Sequence, residues 1–465
     1  MSGEVAAAYL RRMTSPALPH HSSPSTDAAY ARIAWRLLPL LFVCYIVAYL
    51  DRVNVGFAKL QMVTELRWSD ATYGFGAGIF FVGYFLFEVP SNLLLERVGA
   101  RRWIARIMIT WALVSAAFAF VDVLPVGPLP GWFGLERTEF SFYALRLLLG
   151  MAEAGFFPGI VLYLTYWFPS TRRARAFAKF MTAVAVANVL GAPLSGWIMD
   201  TFNGSGGWSG WRWLFLLESA PSLVMGVLVL LFLPDGPAQA RWLSESDRAQ
   251  VLADLQGERE AAVHGGTAPR TARAALLNGT VWALAFVYFT MAVALYGVNF
   301  WMPTIIQELG LDRTAYLQIG LLSMIPWGVA GVTMLLWGGH SDRTGERRWH
   351  VTGGMVVTTV GLGLLAVTGT QVVPSLVALS LVAAGVLSSM STFWAIPTNY
   401  LRGTAAAAGI AWINSIGNLG GHFGPDLIGR VRTATGSSAA AFLTLAALGV
   451  AGAVTVAVVA RNERR

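Results

Sequence analysis

Among the ionisable residues inside long apolar runs, six stand out: Asp51 and Arg52 in the run 34–56, Glu88 in 72–95, Arg146 and Glu153 in 139–167, and Glu218 in 213–233. An ionised side chain near the middle of a bilayer costs roughly 2.5 to 3.5 kcal/mol on insertion scales, so each needs compensation. Asp51, Arg52, Arg146 and Glu153 sum to zero charge and can pair across an internal cavity. Such a set can also do chemistry. Two guanidinium groups attract an anion, while a nearby carboxylate repels it unless a proton neutralises the acid. Proton uptake by Asp51 or Glu153 would release an arginine from its partner for an incoming carboxylate. The other reading of the same four residues is a purely structural ion-pair network.

Helical spacing places these groups. At about 1.5 Å per residue, Asp51 lies ~12 Å from Lys59, and Arg146 ~10 Å from Glu139 on a helix running the other way. The two should be nearly level, with Glu153 ~10 Å deeper on the Arg146 face. Adjacent Asp51 and Arg52 point about 100° apart, so cross-helix partners are expected, Asp51 with Arg146 among them. Gly155, Pro158 and Gly159 follow Glu153, and proline kinks a helix; the bend could serve a gate or be static. Glu88 near Pro90 and Glu218 near Pro221 read as gating or packing groups.

Toward the C-terminus, Asn414, Asn418 and His422 are spaced i, i+4, i+8. The stripe could line a substrate path, with Tyr296, Asn299 and Trp394 across from it, or could glue helices together as small and polar residues do. The six histidines show no HExxH spacing, and Cys44 is the only cysteine, a packing residue with no disulfide to make. No metal site is expected. No GxSxG and no nucleotide loop is present, so no catalytic residues are assigned and an enzyme is not expected.

The elements that position these residues follow from composition. Of 465 residues, 55% are hydrophobic and 12% charged, against roughly 25% charged in soluble chains. The apolar residues come in twelve runs of membrane-spanning length: 34–56, 72–95, 104–124, 139–167, 175–199, 213–233, 276–306, 315–339, 350–371, 374–400, 405–429 and 438–460. The fold class is therefore an all-α polytopic membrane protein. Of 33 Lys and Arg, 24 fall at one end of these runs, 7 at the other and 2 inside. Basic residues mark cytoplasmic loops, so both termini are expected in the cytoplasm, and the net charge of +8 faces lipid and requires no nucleic acid. Residues 1–31 read as a disordered tail without a removable signal, 32–234 as one six-helix bundle, 235–275 as a linker, 276–460 as a second bundle and 461–465 as a tail. In the linker, Ser244 and Asp247 open a short helical pattern as a capping box does.

The bundles repeat. Glu96, Arg97, Gly99, Arg101 and Arg102 recur 246 residues on as Asp342, Arg343, Gly345, Arg347 and Arg348, and the same offset lays Val47, Ala48 and Gln61 on Val293, Ala294 and Gln307. Parallel repeats of this kind build transporters with a central site. The loop signature can act as a gating clasp, its charges pairing with neighbouring helix ends. Asp51, Arg52, Arg146 and Glu153 fall on Gly297, Val298, Thr392 and Asn399. Ion coupling is thus expected in the first half, with the second shaping the cavity.

The loop pair and twelve runs resemble the major facilitator superfamily. The stretch Tyr49-Leu50-Asp51-Arg52-Val53-Asn54, then Phe87 to Asn92, Trp167-Phe168-Pro169 and Phe393 to Thr398, resemble its anion:cation symporter family. Gly403 to Gly409 and Asn414 to Gly421 are similar to the bacterial tartrate and phthalate branch. The resemblance implies Asp51 and Glu153 as proton carriers and Arg52 and Arg146 as substrate contacts, with Tyr49 and Asn54 beside them. One departure concerns helix 5, where the sugar-acid branch carries an amide and this chain has Thr182 to Val186, with Asn188 further on. A small dicarboxylate or aromatic carboxylate then fits better than a polyhydroxylated hexonate. The resulting expectation is a monomeric symporter in the cytoplasmic membrane that imports a small organic anion with protons, using the proton gradient and no cofactor. The alternative is a proton-coupled exporter of drugs or metabolites.

Overall fold

The computed structural model describes residues 24–264, 277–400 and 404–459. The described residues are helical, with no strand among them. The spans are α1 (Pro24–Val53 and Val55–Glu65), α2 (Asp70–Val98), α3 (Ala100–Ala117), α4 (Arg137–Glu153 and Phe156–Thr165), α5 (Ser170–Phe202) and α6 (Gly210–Phe232). The second set is α7 (Gly279–Gln307), α8 (Tyr316–Thr344), α9 (Arg348–Thr368), α10 (Val372–Phe393 and Ala395–Tyr400), α11 (Thr404–Asn418 and Gly420–Thr435) and α12 (Ala439–Val459). Eleven are long and apolar enough to cross a membrane on length and composition; α11, broken at Leu419, is the twelfth. The end carrying the start of α1 and the α2–α3 and α8–α9 loops is called the basic end below.

Several boundaries differ from the sequence reading; α1 also runs on to Glu65, past the expected end at 56. Helix α1 starts by Pro24, inside the expected tail, because Tyr30 is buried against Phe168 and donates to Asp254 at 3.0 Å. The linker forms a longer helix than its pattern suggested, Glu245–His264, with Asp247 N–H donating to Ser244 Oγ at 3.1 Å. In α4 the break falls at Gly155, with φ +86°. Pro158 lies in the first turn of the following segment, where a missing N–H costs nothing.

Glycines set how closely the helices approach. A Cβ on Gly150 of α4 would sit 1.9 Å from the Phe80 carbonyl oxygen of α2, and one on Gly83 of α2 would sit 2.3 Å from the Leu147 carbonyl oxygen. The neighbouring face of α2 meets α11 in the same way: a Cβ on Gly74 would reach the Pro425 carbonyl oxygen at 2.5 Å, and one on Gly78 the His422 carbonyl oxygen at 2.5 Å. Helix α2 thus packs backbone to backbone within its own half and across to the other. Helices α5 and α8 form the companion seam through Gly196 and Gly320.

Candidate functional site

The site grows from the middle of α1. Asp51 and Arg52 diverge as helical geometry requires. Asp51 is buried toward α3 and α6, where Trp111 Nε1 donates to it at 3.1 Å, Ser115 Oγ at 2.9 Å and Ser222 Oγ at 2.5 Å. Arg52 turns toward α2 and α4 and forms a buried ion pair with Glu153. Its guanidinium carbon lies 5.9 Å from the Tyr49 ring, 5.4 Å from Phe80 and 5.7 Å from Tyr84, distances at which the ring faces attract a cation. Its Nε has no hydrogen-bond partner.

The expected pairing of Asp51 with Arg146 is not formed. Arg146 is buried, but Nε donates to the Gly76 carbonyl at 3.3 Å and Nη2 to the Ala77 carbonyl at 2.7 Å, while Phe80 and Phe300 lie 5.1 and 5.7 Å from the guanidinium carbon. The physical reason is the glycine-mediated approach of α2 to α4, which brings backbone carbonyls within reach before any carboxylate. Among the described residues, Arg146 has no acidic partner within ion-pair distance. Helical spacing along the axis does not set which neighbours a side chain faces around it.

The other half contributes uncharged groups. Tyr296 is buried with its ring 4.3 Å from Phe81, and Asn299 donates to Asn188 Oδ1 at 3.3 Å. Helix α5 therefore does bring an amide to the seam between the halves, one and a half turns beyond Thr182 and close to the position where the sequence was read as lacking one. Trp394 sits at the break in α10, its ring 5.0 Å from Tyr288. Of the α11 stripe, Asn414 donates to Glu88 Oε1 at 2.8 Å, and Ser415 to Glu88 Oε2 at 3.3 Å. His422 lies against Gly78 with its ring 5.5 Å from Phe75, and Asn418 ends the first α11 segment. The stripe faces α2, so Glu88 ties the halves together. Asn54 is fully buried at the α1 break, beside Glu218 and away from the Arg52 cage.

The ends of the molecule are unequal. At the end away from the basic loops, Arg432 pairs with Asp70 at 2.9 Å and with Glu308 at 2.5 Å, Lys59 pairs with Asp70 at 2.9 Å, and Lys59 Nζ lies 4.3 Å from the Trp301 ring. Asp200 accepts from the Tyr316 and Leu317 amides at the start of α8, and Tyr73 donates to the Phe300 carbonyl. Among the described residues, the polar tie nearest the basic end is that of Glu88. The two signature loops do not pair with each other there: Asp342 and Arg347 join at 2.6 Å within one loop, and Asp235 accepts from the Arg101 amide in the other. Glu96, Arg97 and Arg102 are exposed, as is Arg343; Arg348 starts α9, and Gly99 and Gly345 supply the positive-φ turns.

Several of these groups were invisible in the sequence. Trp111, Ser115 and Ser222 carry no charge to single them out. Lys59 and Arg432 lie just outside the runs 34–56 and 405–429, among the 7 basic residues at that end, and nothing in the sequence marks them as a lock between halves.

A membrane-embedded pair of charged and aromatic helix faces at the seam of two like bundles defines a transporter. The sequence model of the Major Facilitator Superfamily matches residues 41–425, and the chain belongs to that family. It is 48% identical over 93% of its length to a protein named "Putative tartrate transporter" from Agrobacterium vitis, 94% of which is covered. It is 44% identical over 90% of its length to "Putative metabolite transport protein NicT" from Pseudomonas putida, 92% of which is covered. Its fold is that of the xylose transporter XylE from E. coli in a partially occluded inward open conformation, with a TM-score of 0.70 at 14% identity, covering 90% of this chain and 96% of the other. The protein is a multi-pass membrane transporter and not an enzyme.

Proposed function

We propose that the protein is a monomeric, proton-coupled symporter that imports a small organic carboxylate across the cytoplasmic membrane by alternating access, with both termini inside. The observation that carries this reading is the buried ion pair of Arg52 with Glu153 inside a cage of Tyr49, Phe80 and Tyr84. A proton on Glu153 cancels its charge and leaves Arg52 as a cation with a free Nε donor, ready for a carboxylate in bidentate geometry. Arg146, anchored on carbonyls and carrying no acid, adds a second positive centre beside Phe80. Proton and anion then enter together because neither is well accommodated alone. The tartrate name of a relative at 48% identity supports a short hydroxylated dicarboxylate, and the aromatic walls also suit an aromatic acid.

The test is uptake of labelled tartrate into liposomes holding the purified protein, under an inward proton gradient. Accumulation that collapses with a protonophore and with Arg52→Ala is expected. Solute driven outward by that gradient would establish the exporter reading instead.

A further inference from the structure

We propose that Glu218 is a second proton-binding carboxylate of the first half, working with Asp51 along the seam between α1 and α6. This rests on the proton-coupled reading above, although the site itself is defined without any substrate.

Helices α1 and α6 run antiparallel, and their register is fixed where Ser222 of α6 donates to Asp51 of α1 at 2.5 Å. One turn along that seam, Asn54 lies three residues after Asp51 and Glu218 four before Ser222, so these two side chains face each other. Both are buried, Asn54 fully. The Asn54 amide lies beside Glu218 without a well-formed hydrogen bond: its Nδ2, its Oδ1 and Glu218 Oε2 all lack partners. Three orphaned polar atoms in one buried spot mark a place where something binds. Glu218 Oε1 is already taken by Ser195 Oγ of α5 at 2.7 Å.

The charges around the spot identify the ligand as a proton. Helix α6 packs on α1, α3 and α5. Of these, α1 presents Asp51 and Asn54, α5 presents Ser195, and α3 turns Trp111 and Ser115 to Asp51; no Lys or Arg faces Glu218 among the described residues. Asp51 is within electrostatic reach of Glu218, so the only charge it meets is a repulsive one. Glu153 has Arg52, and Asp51 has three donors; Glu218 has one hydroxyl. A buried carboxylate so poorly compensated is costly as an anion. Taking a proton on Oε2 from a hydronium ion, which becomes water, turns it into an acid whose O–H can donate to Asn54 Oδ1. After release, the same amide can turn Nδ2 toward the carboxylate. Asn54 therefore serves both protonation states, which explains an amide held without a partner at the break in α1. Ser195 also lines the small cavity between the halves that Asn188 and Asn299 border, which puts room for about one water within one hydroxyl of Glu218.

The test is infrared difference spectroscopy of the full chain in lipid, without substrate, across a pH series. A titrating carboxylic C=O band that Glu218→Gln removes and Glu218→Asp retains is expected, with Asp51→Asn moving its midpoint by about one pH unit. A spectrum unchanged by Glu218→Gln, or a Glu218 band that never titrates, overturns the proposal. In liposomes under an imposed gradient of about one pH unit, Glu218→Gln should lower gradient-driven tartrate accumulation about tenfold while tartrate exchange persists, since each coupled proton contributes that gradient once; unaltered accumulation overturns it. If the native protein moves no tartrate, the substrate reading fails while the infrared result still decides Glu218.

Discussion

Replacing Arg432 with Gln should loosen the end of the molecule away from the basic loops, and the structure says by how much. Arg432 has two acidic partners, but Glu308 belongs to the same half, so that pair survives when the halves part. Only the bond to Asp70 crosses the seam. Both its side chains are mostly shielded, 12% and 23% exposed; when Arg432 is lost Asp70 keeps Lys59 and Glu308, 48% exposed, is left to solvent, so no buried charge is abandoned. A charge-assisted hydrogen bond of this kind contributes about 1.5 kcal/mol, which corresponds to about a tenfold shift toward the state open at that end. Spin labels on Ser205 and Thr370, both exposed loop positions, in a Cys44→Ser background would report the distance across the opening in lipid nanodiscs. The longer-distance population should grow about tenfold relative to the shorter in Arg432→Gln and stay unchanged in Glu308→Gln. Equal shifts in both variants, or none in Arg432→Gln, would refute the reasoning.

Glu153→Gln should leave Arg52 without its counter-charge, so that tartrate binding measured by calorimetry becomes tighter at neutral pH and loses the part of its proton dependence that Glu153 supplies. Gly150→Ala places a Cβ 1.9 Å from the Phe80 carbonyl oxygen and should cost about 1 to 3 kcal/mol as an overpacked contact, read as a lower melting temperature in detergent; Gly339→Ala, with nothing within 4 Å of its new Cβ, should be neutral or mildly stabilising. Asp122 in the α3–α4 loop is held by hydrogen bonds from Arg212, and that bonding keeps its carboxyl below the usual range. A depressed carboxyl stabilises the fold above its unfolded pKa of about 3.9 and loses that effect as pH falls through the folded value. Asp122→Asn should therefore lower the melting temperature at pH 7, and the difference should fade once the pH is well under about 3.9.

The spans were legible because each is a long, mostly apolar run, and the repeat because Gly and acid recur at fixed places among the arginines. Arg52 and Glu153 stood out for the same reason any charge does in a membrane. What the sequence could not convey was direction around the helix. Asp51 and Arg146 face different neighbours, one satisfied by indole and hydroxyl donors and the other by main-chain carbonyls. Neither type of partner shows in a tally of charges. The α11 stripe was legible as a stripe, but that it faces Glu88 and Gly78 of the other half depended on small residues in α2, whose role is visible only when two backbones meet.

Helix α2 joins these observations into one mechanical part. One edge lies flush on α11 and closes the end where Asp70 meets Arg432; the adjacent edge lies flush on α4, and its Gly76 and Ala77 carbonyls hold Arg146. With backbone seated on backbone at Gly74, Gly78, Gly83 and Gly150, both joints have little slack, and α2 moves as a rod rather than a spring. A rod that swings away from α11 must carry the anchor of Arg146 with it or tear it loose. The position of a positive charge deep in the protein is thereby tethered to a door at its rim, and that charge can register the door's state with no hinge of its own.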